Sequence, residues 1–347
     1  MVSELRVTPP LTGDLLQGKV DVVLVIVAPG QGAQVPGFLS PWLELPGVSS
    51  QLEAWSEVAG LDLVRYGTTA DADEIRDTAV AQPLLVSAGL VAASAVLGPP
   101  SAPSPALPAE NSLLDAVAGH SVGEFTAAVI AGVLSPKDAL ALVAERGRGM
   151  AEAAARTETG MTAVLGGDRE QVLEAIGAAG LTPANDNGSG QIVAAGTTEQ
   201  LAAFAENPPA RARLRPLSVA GAFHTEHMAP AVERVRATAD TLTPSDPTVR
   251  LLSNADGAVV GSGGEYLERL VTQISSPVRW DACTRTLADL GVTALIELTP
   301  AGTLTGLAKR ALRGIELLAV KTPDDLDRAG ALIKEHAGSP AATDQEG

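Results

Sequence analysis

The sequence predicts an α/β protein: a parallel sheet with helices around it and a smaller unit inserted in the middle of the chain. Three observations carry this. Val22–Ala28 is a β-branched run ending in Pro29-Gly30-Gln31-Gly32, the pattern of a buried parallel strand followed by a glycine-rich loop. Leu113–Ala118 is a second apolar run, and it leads through Gly119-His120-Ser121-Val122-Gly123 into a helix-like stretch, Phe125–Gly132. Between about Ala154 and Ala220 the elements read strand Met161–Leu165, helix Arg169–Ala179, strands Thr182–Asp186 and Gln191–Gly196, helix Thr198–Asn207 and strand Leu214–Val219. That β-α-β-β-α-β order is the ferredoxin-like unit.

The remaining elements follow from local pattern. Gln51–Ala59, Ala72–Thr78 and the apolar Gln82–Leu97 read as helices, and Gly98–Glu110 as a Pro/Ser/Ala surface linker. Pro136 opens a helix over Lys137–Met150 that carries Arg146. Another helix follows His224, Asp256-Gly257 is a turn, and Gly261–Gly264 is a loose loop. Strands Ala294–Glu297 and Leu317–Val320 come next, then a terminal helix from Asp324. The expected division is an N-terminal extension (1–20), a discontinuous α/β domain (21–153 and 221–335), the inserted subdomain (154–220) and a flexible tail (336–347).

Composition narrows the function. Of 347 residues, 41 are acidic and 24 basic, giving a net charge of −17 that disfavours nucleic acid and anionic membranes as partners. No basic stretch followed by an apolar core marks a signal peptide, and the apolar runs read as too short or too interrupted to span a bilayer. A single cysteine, Cys283, permits no disulfide within one chain and reads as a small buried hydrophobe. A cytoplasmic protein is expected. No cluster of Cys, His or carboxylates suggests a metal site.

The chemistry centres on Ser121. G-x-S-x-G between a strand and a helix is the sequence form of a nucleophile elbow, a sharp turn that exposes the serine hydroxyl. The glycines are needed because a Cβ at either flank would clash. A serine needs a base, and the chain has four histidines: His120, His224, His227 and His336. His120 adjoins Ser121 and should point away from it, His227 reads as a surface or capping residue, and His336 sits near the C-terminus. His224, in a loop opening a helix, is placed to reach the elbow.

PGQGAQ, GHSVGEF, Arg146 in VAERGRGM, GAFH, QISSPVRW and GTLTGLAKR occur in this order. With them the chain, from about Val22 to Asp327, resembles the malonyl-CoA:acyl carrier protein transacylases, the acyltransferases of fatty-acid and polyketide synthesis. The resemblance implies a large α/β-hydrolase-like domain with a parallel sheet and nucleophile elbow, plus an inserted ferredoxin-like subdomain. It implies Ser121 as nucleophile and His224 as base, oriented by a backbone carbonyl at Gln273 in place of a third side chain. It assigns the oxyanion-hole N–H groups to Gln31 and Val122, and Arg146 to the malonyl carboxylate. Phe223 resembles the bulky residue of malonyl-selective members, and Lys309 and Arg310 the face that docks acyl carrier protein. Without the family, Arg146 would read as a surface ion-pair partner, and Lys309, Arg310 and Arg313 as a solvated helix face. Asn185, Asn187 and Gln191 read as an Asn-rich turn beside the cleft. Ala33 stands where the family often has serine, and the N-terminal extension and Pro-rich insert are longer than the family's.

The implied partners are malonyl-CoA and holo-acyl carrier protein, with no bound cofactor and a monomeric state. Two other readings compete. One is an α/β-hydrolase esterase, whose order of Ser, Asp/Glu and His would use Asp324 or Asp325 and His336. The other is a non-catalytic carrier-protein-binding subunit.

Overall fold

The computed structural model describes residues 22–98 and 113–336. The N-terminal extension, nearly all of the Pro-rich linker and the stretch 337–347 lie outside them.

The first part of the chain runs β1 (Leu24–Ala28), α1 (Val48–Ala59), α2 (Leu63–Thr68), α3 (Thr78–Leu97), β2 (Ala116–Gly119), α4 (Gly123–Ile130) and α5 (Pro136–Ala154). The inserted unit comprises β3 (Thr159–Gly166), α6 (Arg169–Ala178), β4 (Thr182–Asp186), β5 (Gln191–Thr197), α7 (Thr198–Glu206) and β6 (Ala212–Pro216). After it come α8 (Ala229–Ala239), β7 (Arg250–Leu252), β8 (Val259–Val260), α9 (Gly263–Thr272), β9 (Val278–Arg279) and α10 (Trp280–Asp289). The last elements are β10 (Ala294–Glu297), α11 (Thr303–Ala311), β11 (Glu316–Ala319) and α12 (Leu326–His336).

Six strands form the main sheet in the order β11-β10-β1-β2-β7-β8, parallel except where β8 returns against β7. Every residue of β1 is buried because both faces are covered. Leu24 and Ile26 enter the large core with α3, α4 and α5, whereas Val25 and Val27 enter a second core against α10 and α11. Five strands form the other sheet, β6-β3-β5-β4-β9. Its first four have the antiparallel ferredoxin-like arrangement, with a separate core that includes Val164, Ile176, Ile192 and Phe204. β9, from the chain that follows the insertion, joins its edge parallel to β4.

The strand and helix expectations hold in the elbow, in the inserted unit up to its last strand, and in β10, and four others need correction. Ala72–Thr78 is not a helix: only Glu74–Arg76 forms a 3-10 turn. Asp71 accepts the N–H groups of Asp73 and Glu74, and Asp77 accepts that of Ala79 to start α3, so two caps split the segment. α3 therefore begins four residues before Gln82. Its 20 residues are long and apolar enough to cross a membrane, but it is almost entirely buried within the protein. Gly263 and Gly264 are not a loose loop: Ser262 caps α9 there, and a Cβ at Gly263 would lie 1.9 Å from Ser245 O. β6 ends at Pro216, so Leu217 and Val219 leave the sheet and line a cavity instead. α12 continues through His336, which is buried, so 336 does not begin a tail. The sequence reading also missed α2, β7, β8 and β9, all short.

Packing at the elbow sets a steric test. A Cβ on Gly123 would lie 2.2 Å from Ala28 O, whereas one on Gly330, inside α12, meets nothing within 4 Å. Gly123→Ala should therefore destabilise the fold by at least ~3 kcal/mol. Gly330→Ala should stabilise it by ~0.5–1 kcal/mol through helix propensity. Denaturant unfolding monitored by circular dichroism separates the two; equal stability of both variants would contradict the packing at the elbow.

Candidate active site

Ser121 sits at the carboxyl end of β2, beside the loop that leaves the adjacent strand β1. The turn there is tight enough that a Cβ on Gly119 would lie 2.0 Å from the Gly123 carbonyl carbon. Ser121 itself has φ +53°, the left-handed region, which a non-glycine residue keeps only where its surroundings hold it. The histidine it meets is strained in the same sense: His224 has φ +61°.

Ser121 Oγ lies 2.7 Å from His224 Nε2. On the other side of the ring, His224 Nδ1 lies 2.8 Å from the backbone carbonyl of Gln273. Since a carbonyl only accepts, Nδ1 carries the proton and Nε2 is left as the acceptor facing the serine. His224 is buried, and burial together with the nearby Arg146 charge pushes its pKa down to about 3. The imidazole is therefore neutral, ready to take a proton.

Arg146, from α5, is only 1% exposed, so it is no surface ion-pair partner. Its Nη2 donates to Gln273 Oε1 at 2.8 Å and to Ser121 Oγ at 3.4 Å, and its Nη1 donates to Gln82 Oε1 at 2.5 Å. Its Nε is buried with no partner among the described residues. Burial lowers the pKa to about 10, partly offset by Glu124, which leaves the guanidinium charged at neutral pH. A planar cation with unspent donors beside the serine suits a carboxylate.

Three contributors were not foreseen. Gln82, from the first turns of α3, orients Arg146. Glu124, in α4, is 1% exposed and accepts from Gln273 Nε2; burial raises its pKa to about 8. Asn254, after β7, accepts the Ser121 N–H at 2.7 Å. Glu124 falls three residues after Ser121, the one signal in the sequence that could have found it. Gln82 and Asn254 lie 64 and 133 residues from their partners and carry no local mark.

These groups border a cavity of about 250 Å³, lined by Gln31, Ser121, Val122, Arg146, Phe223 and His224, among others. The backbone N–H groups of Gln31 and Val122 have no hydrogen-bond acceptor among the described residues. Asn185, Asn187 and Gln191 also line it; Asn185 and Gln191 are strand residues of β4 and β5 rather than turn residues. His120 does not reach Ser121 Oγ: its Nε2 lies 2.8 Å from Asn187 Oδ1, and its ring packs against Trp280.

Lys309 and Arg310 are not in the serine site. They are exposed at the end of α11, while Thr303, Leu304 and Leu307 of the same helix line the cavity. Arg310 borders a neighbouring hollow with Arg211 and Arg213 of the inserted unit, and Gln191 lines both spaces.

The late Asp and His sets do not serve the serine. His336 Nδ1 lies 2.9 Å from Thr293 Oγ1, and Asp325 accepts the N–H groups of Lys321 and Thr322. Glu316, Glu335 and His336 do converge, with ligand atoms within 4.8 Å of one another, a cluster the sequence reading did not anticipate. His227 is half-buried in a 3-10 turn, and Cys283 is a buried thiol whose pKa burial pushes up.

The chain is similar to known proteins over most of its length. Over 310 residues the chain is 52% identical to the malonyl CoA-acyl carrier protein transacylase of Mycobacterium tuberculosis H37Rv, covering 89% of this chain and all of that one. It is 33% identical to the Bacillus subtilis protein of the same name over 320 residues, 90% of this chain and 98% of that one. The crystal structure of MCAT from Mycobacterium tuberculosis superposes with a TM-score of 0.82 at 51% identity, covering 89% of this chain and 99% of that one. A malonyl-transacylase solved with its holo type II PKS acyl-carrier protein superposes at 0.80 with 28% identity, again over 89% and 99%. The acyl transferase domain family matches residues 49–345. With a serine elbow, a carbonyl-oriented histidine and a buried arginine in one cavity, the chain belongs to the acyl transferase family.

Proposed function

We propose that the protein transfers the malonyl group of malonyl-CoA to the phosphopantetheine thiol of acyl carrier protein through a malonyl-serine intermediate, supplying extender units for fatty-acid synthesis. The observation that carries this is Arg146, a buried guanidinium with an N–H unpartnered among the described residues, 3.4 Å from a serine that is hydrogen-bonded to a neutral histidine. An esterase needs no such cation, and a scaffold needs none of the three.

The reaction follows from the geometry. Ser121 Oγ attacks the thioester carbonyl carbon while His224 Nε2 takes its proton. The oxyanion is received by the N–H groups of Gln31 and Val122. Collapse of the intermediate breaks the C–S bond, and the CoA thiolate takes the proton from His224. The carrier-protein thiol then repeats these steps on the malonyl-serine ester. Arg146 binds the free carboxylate, Gln273 orients His224 through its carbonyl, and Phe223, buried on the cavity wall, narrows the site in favour of malonyl over methylmalonyl. Lys309 and Arg310 dock the carrier protein, which matches acidic protein to a local basic face on a chain of net charge −17. The same reading makes the enzyme a cytoplasmic monomer without metal, bound cofactor, nucleic acid or membrane. It divides the chain into a catalytic α/β domain and the subdomain at 154–220.

Intact-protein mass after brief exposure to malonyl-CoA or acetyl-CoA tests the core of this reading. Wild type should gain a malonyl adduct that holo-acyl carrier protein clears; Ser121→Ala should gain none. Arg146→Ala should lose about 3 kcal/mol of malonyl recognition, on the order of 100-fold in kcat/KM, and accept acetyl more readily. An adduct on Ser121→Ala, or unchanged selectivity in Arg146→Ala, refutes the corresponding assignment.

The acid limb of kcat/KM reports the base in the free enzyme. Because the folded pKa of His224 lies far below its ordinary value, the working neutral form persists as pH falls. Acylation should stay flat from pH 8 to about pH 5; a limb near 6.5 in stopped-flow acylation rates would mean an ordinary, solvated imidazole.

For docking, Lys309→Glu combined with Arg310→Glu should raise KM for carrier protein at least ~10-fold and leave acylation by malonyl-CoA unchanged. Equal loss in both half-reactions would remove these residues from the docking face.

A further inference from the structure

Asn254 makes six hydrogen bonds, four of them at 2.8 Å or shorter, that the acyl-transfer reading leaves without a role. It is fully buried in the turn after β7. Its side-chain Oδ1 accepts the Ser121 N–H at 2.7 Å, and its Nδ2 donates to the Gly119 carbonyl at 2.8 Å. Its own N–H donates to Glu124 Oε1 at 2.7 Å, and its carbonyl accepts the Arg279 N–H at 2.8 Å.

The arrangement continues a sheet by other means. β7 pairs with β2 only at Ala116 and Val117. Along a strand, the carbonyl of one residue and the N–H two residues later face the same neighbour. Asn254 meets that pair, Gly119 C=O and Ser121 N–H, with one planar amide. The match is chemical as well as geometric, because a side-chain amide offers an acceptor and a donor side by side, whereas a carboxylate offers no donor and an aliphatic chain neither. Asn254 is held in turn by Glu124, which also accepts from Gln273 Nε2. Gln273 supplies the carbonyl that orients His224. One buried chain of contacts thus ties the serine to its base.

We propose that Asn254 is a positioning residue for acyl transfer. Its amide holds Ser121 in the left-handed conformation that puts Oγ against His224. By occupying the Ser121 N–H it leaves the next one, Val122 N–H, as the elbow's donor to the acyl oxygen. The inference rests on Ser121 being the nucleophile.

Single-turnover kinetics test it. Asn254→Ala and Asn254→Ser are compared with wild type and Ser121→Ala, using malonyl-CoA for acylation and holo-acyl carrier protein for transfer. Burst amplitude gives the competent fraction, and the rate constant is read per competent molecule. Both rate constants should fall about 100-fold together, as expected when a nucleophile and an oxyanion donor are misplaced. Half-saturation by malonyl-CoA should change less than threefold, because Asn254 is not among the residues lining the cavity. A purely structural role would lower the melting temperature and the burst amplitude while leaving the rate constants within threefold of wild type, and that result overturns the proposal. Should Asn254→Ala fail to fold, Asn254→Ser, which keeps one polar partner, decides by the same criterion. An adduct on Ser121→Ala would overturn the nucleophile reading itself, a failure distinct from normal rates in the Asn254 variants.

Discussion

A full positive charge held out of water beside Ser121 constrains everything around it. Removing a guanidinium from solvent costs several kcal/mol unless its donors are met. The fold meets its two terminal nitrogens with neutral acceptors, Gln82 Oε1 from α3 and Gln273 Oε1 from the turn after α9, and leaves Nε unmet among the described residues. Since Arg146 can only donate, it also sets the polarity of the Gln273 amide, whose nitrogen must then face an acceptor. Glu124 is that acceptor. Phe125, the next residue along α4, places its ring near the guanidinium, 5.8 Å from Cζ to the centroid. Meeting the charge with amides rather than with a directly paired carboxylate leaves it available to a substrate's negative group.

The same charge shapes the base. Arg146 adds to burial in holding His224 neutral, and the Gln273 carbonyl adds the one contact that decides the tautomer. A carbonyl takes the place that a carboxylate holds in serine hydrolases: it fixes the tautomer without adding a negative charge beside the ring. Burial and the neighbouring cation favour the neutral ring at the expense of its basicity.

Sterics of the elbow form the second constraint. Gly119 and Gly123 let β2 turn into α4 with backbone atoms closer than any Cβ allows, and Gly123 lies against the end of β1. That contact brings the β1 loop carrying Gln31 to the serine, so both free N–H groups line one cavity. The inserted unit closes another side through Asn185, Asn187 and Gln191, joined to the main body where β9 pairs with β4.

What the sequence determined by itself is whatever depends on neighbours a few residues apart. The glycines flanking Ser121, the apolar run of β1 and the alternation of elements in the inserted unit each follow from local sterics and periodicity. So does the family, whose motifs survive as short ordered strings. Where caps compete within one segment, as Asp71 and Asp77 do around the 3-10 turn at Glu74–Arg76, the pattern misled, because propensity cannot say which carboxylate wins which N–H. Tertiary structure alone decided that Arg146 is buried, where its residue pattern by itself reads as a surface ion-pair partner, and that Gln82, Glu124 and Asn254 belong to the site. Their partners sit up to 149 residues away in the chain. A buried polar side chain is chosen for the one donor or acceptor opposite it, and only the folded chain puts that partner there.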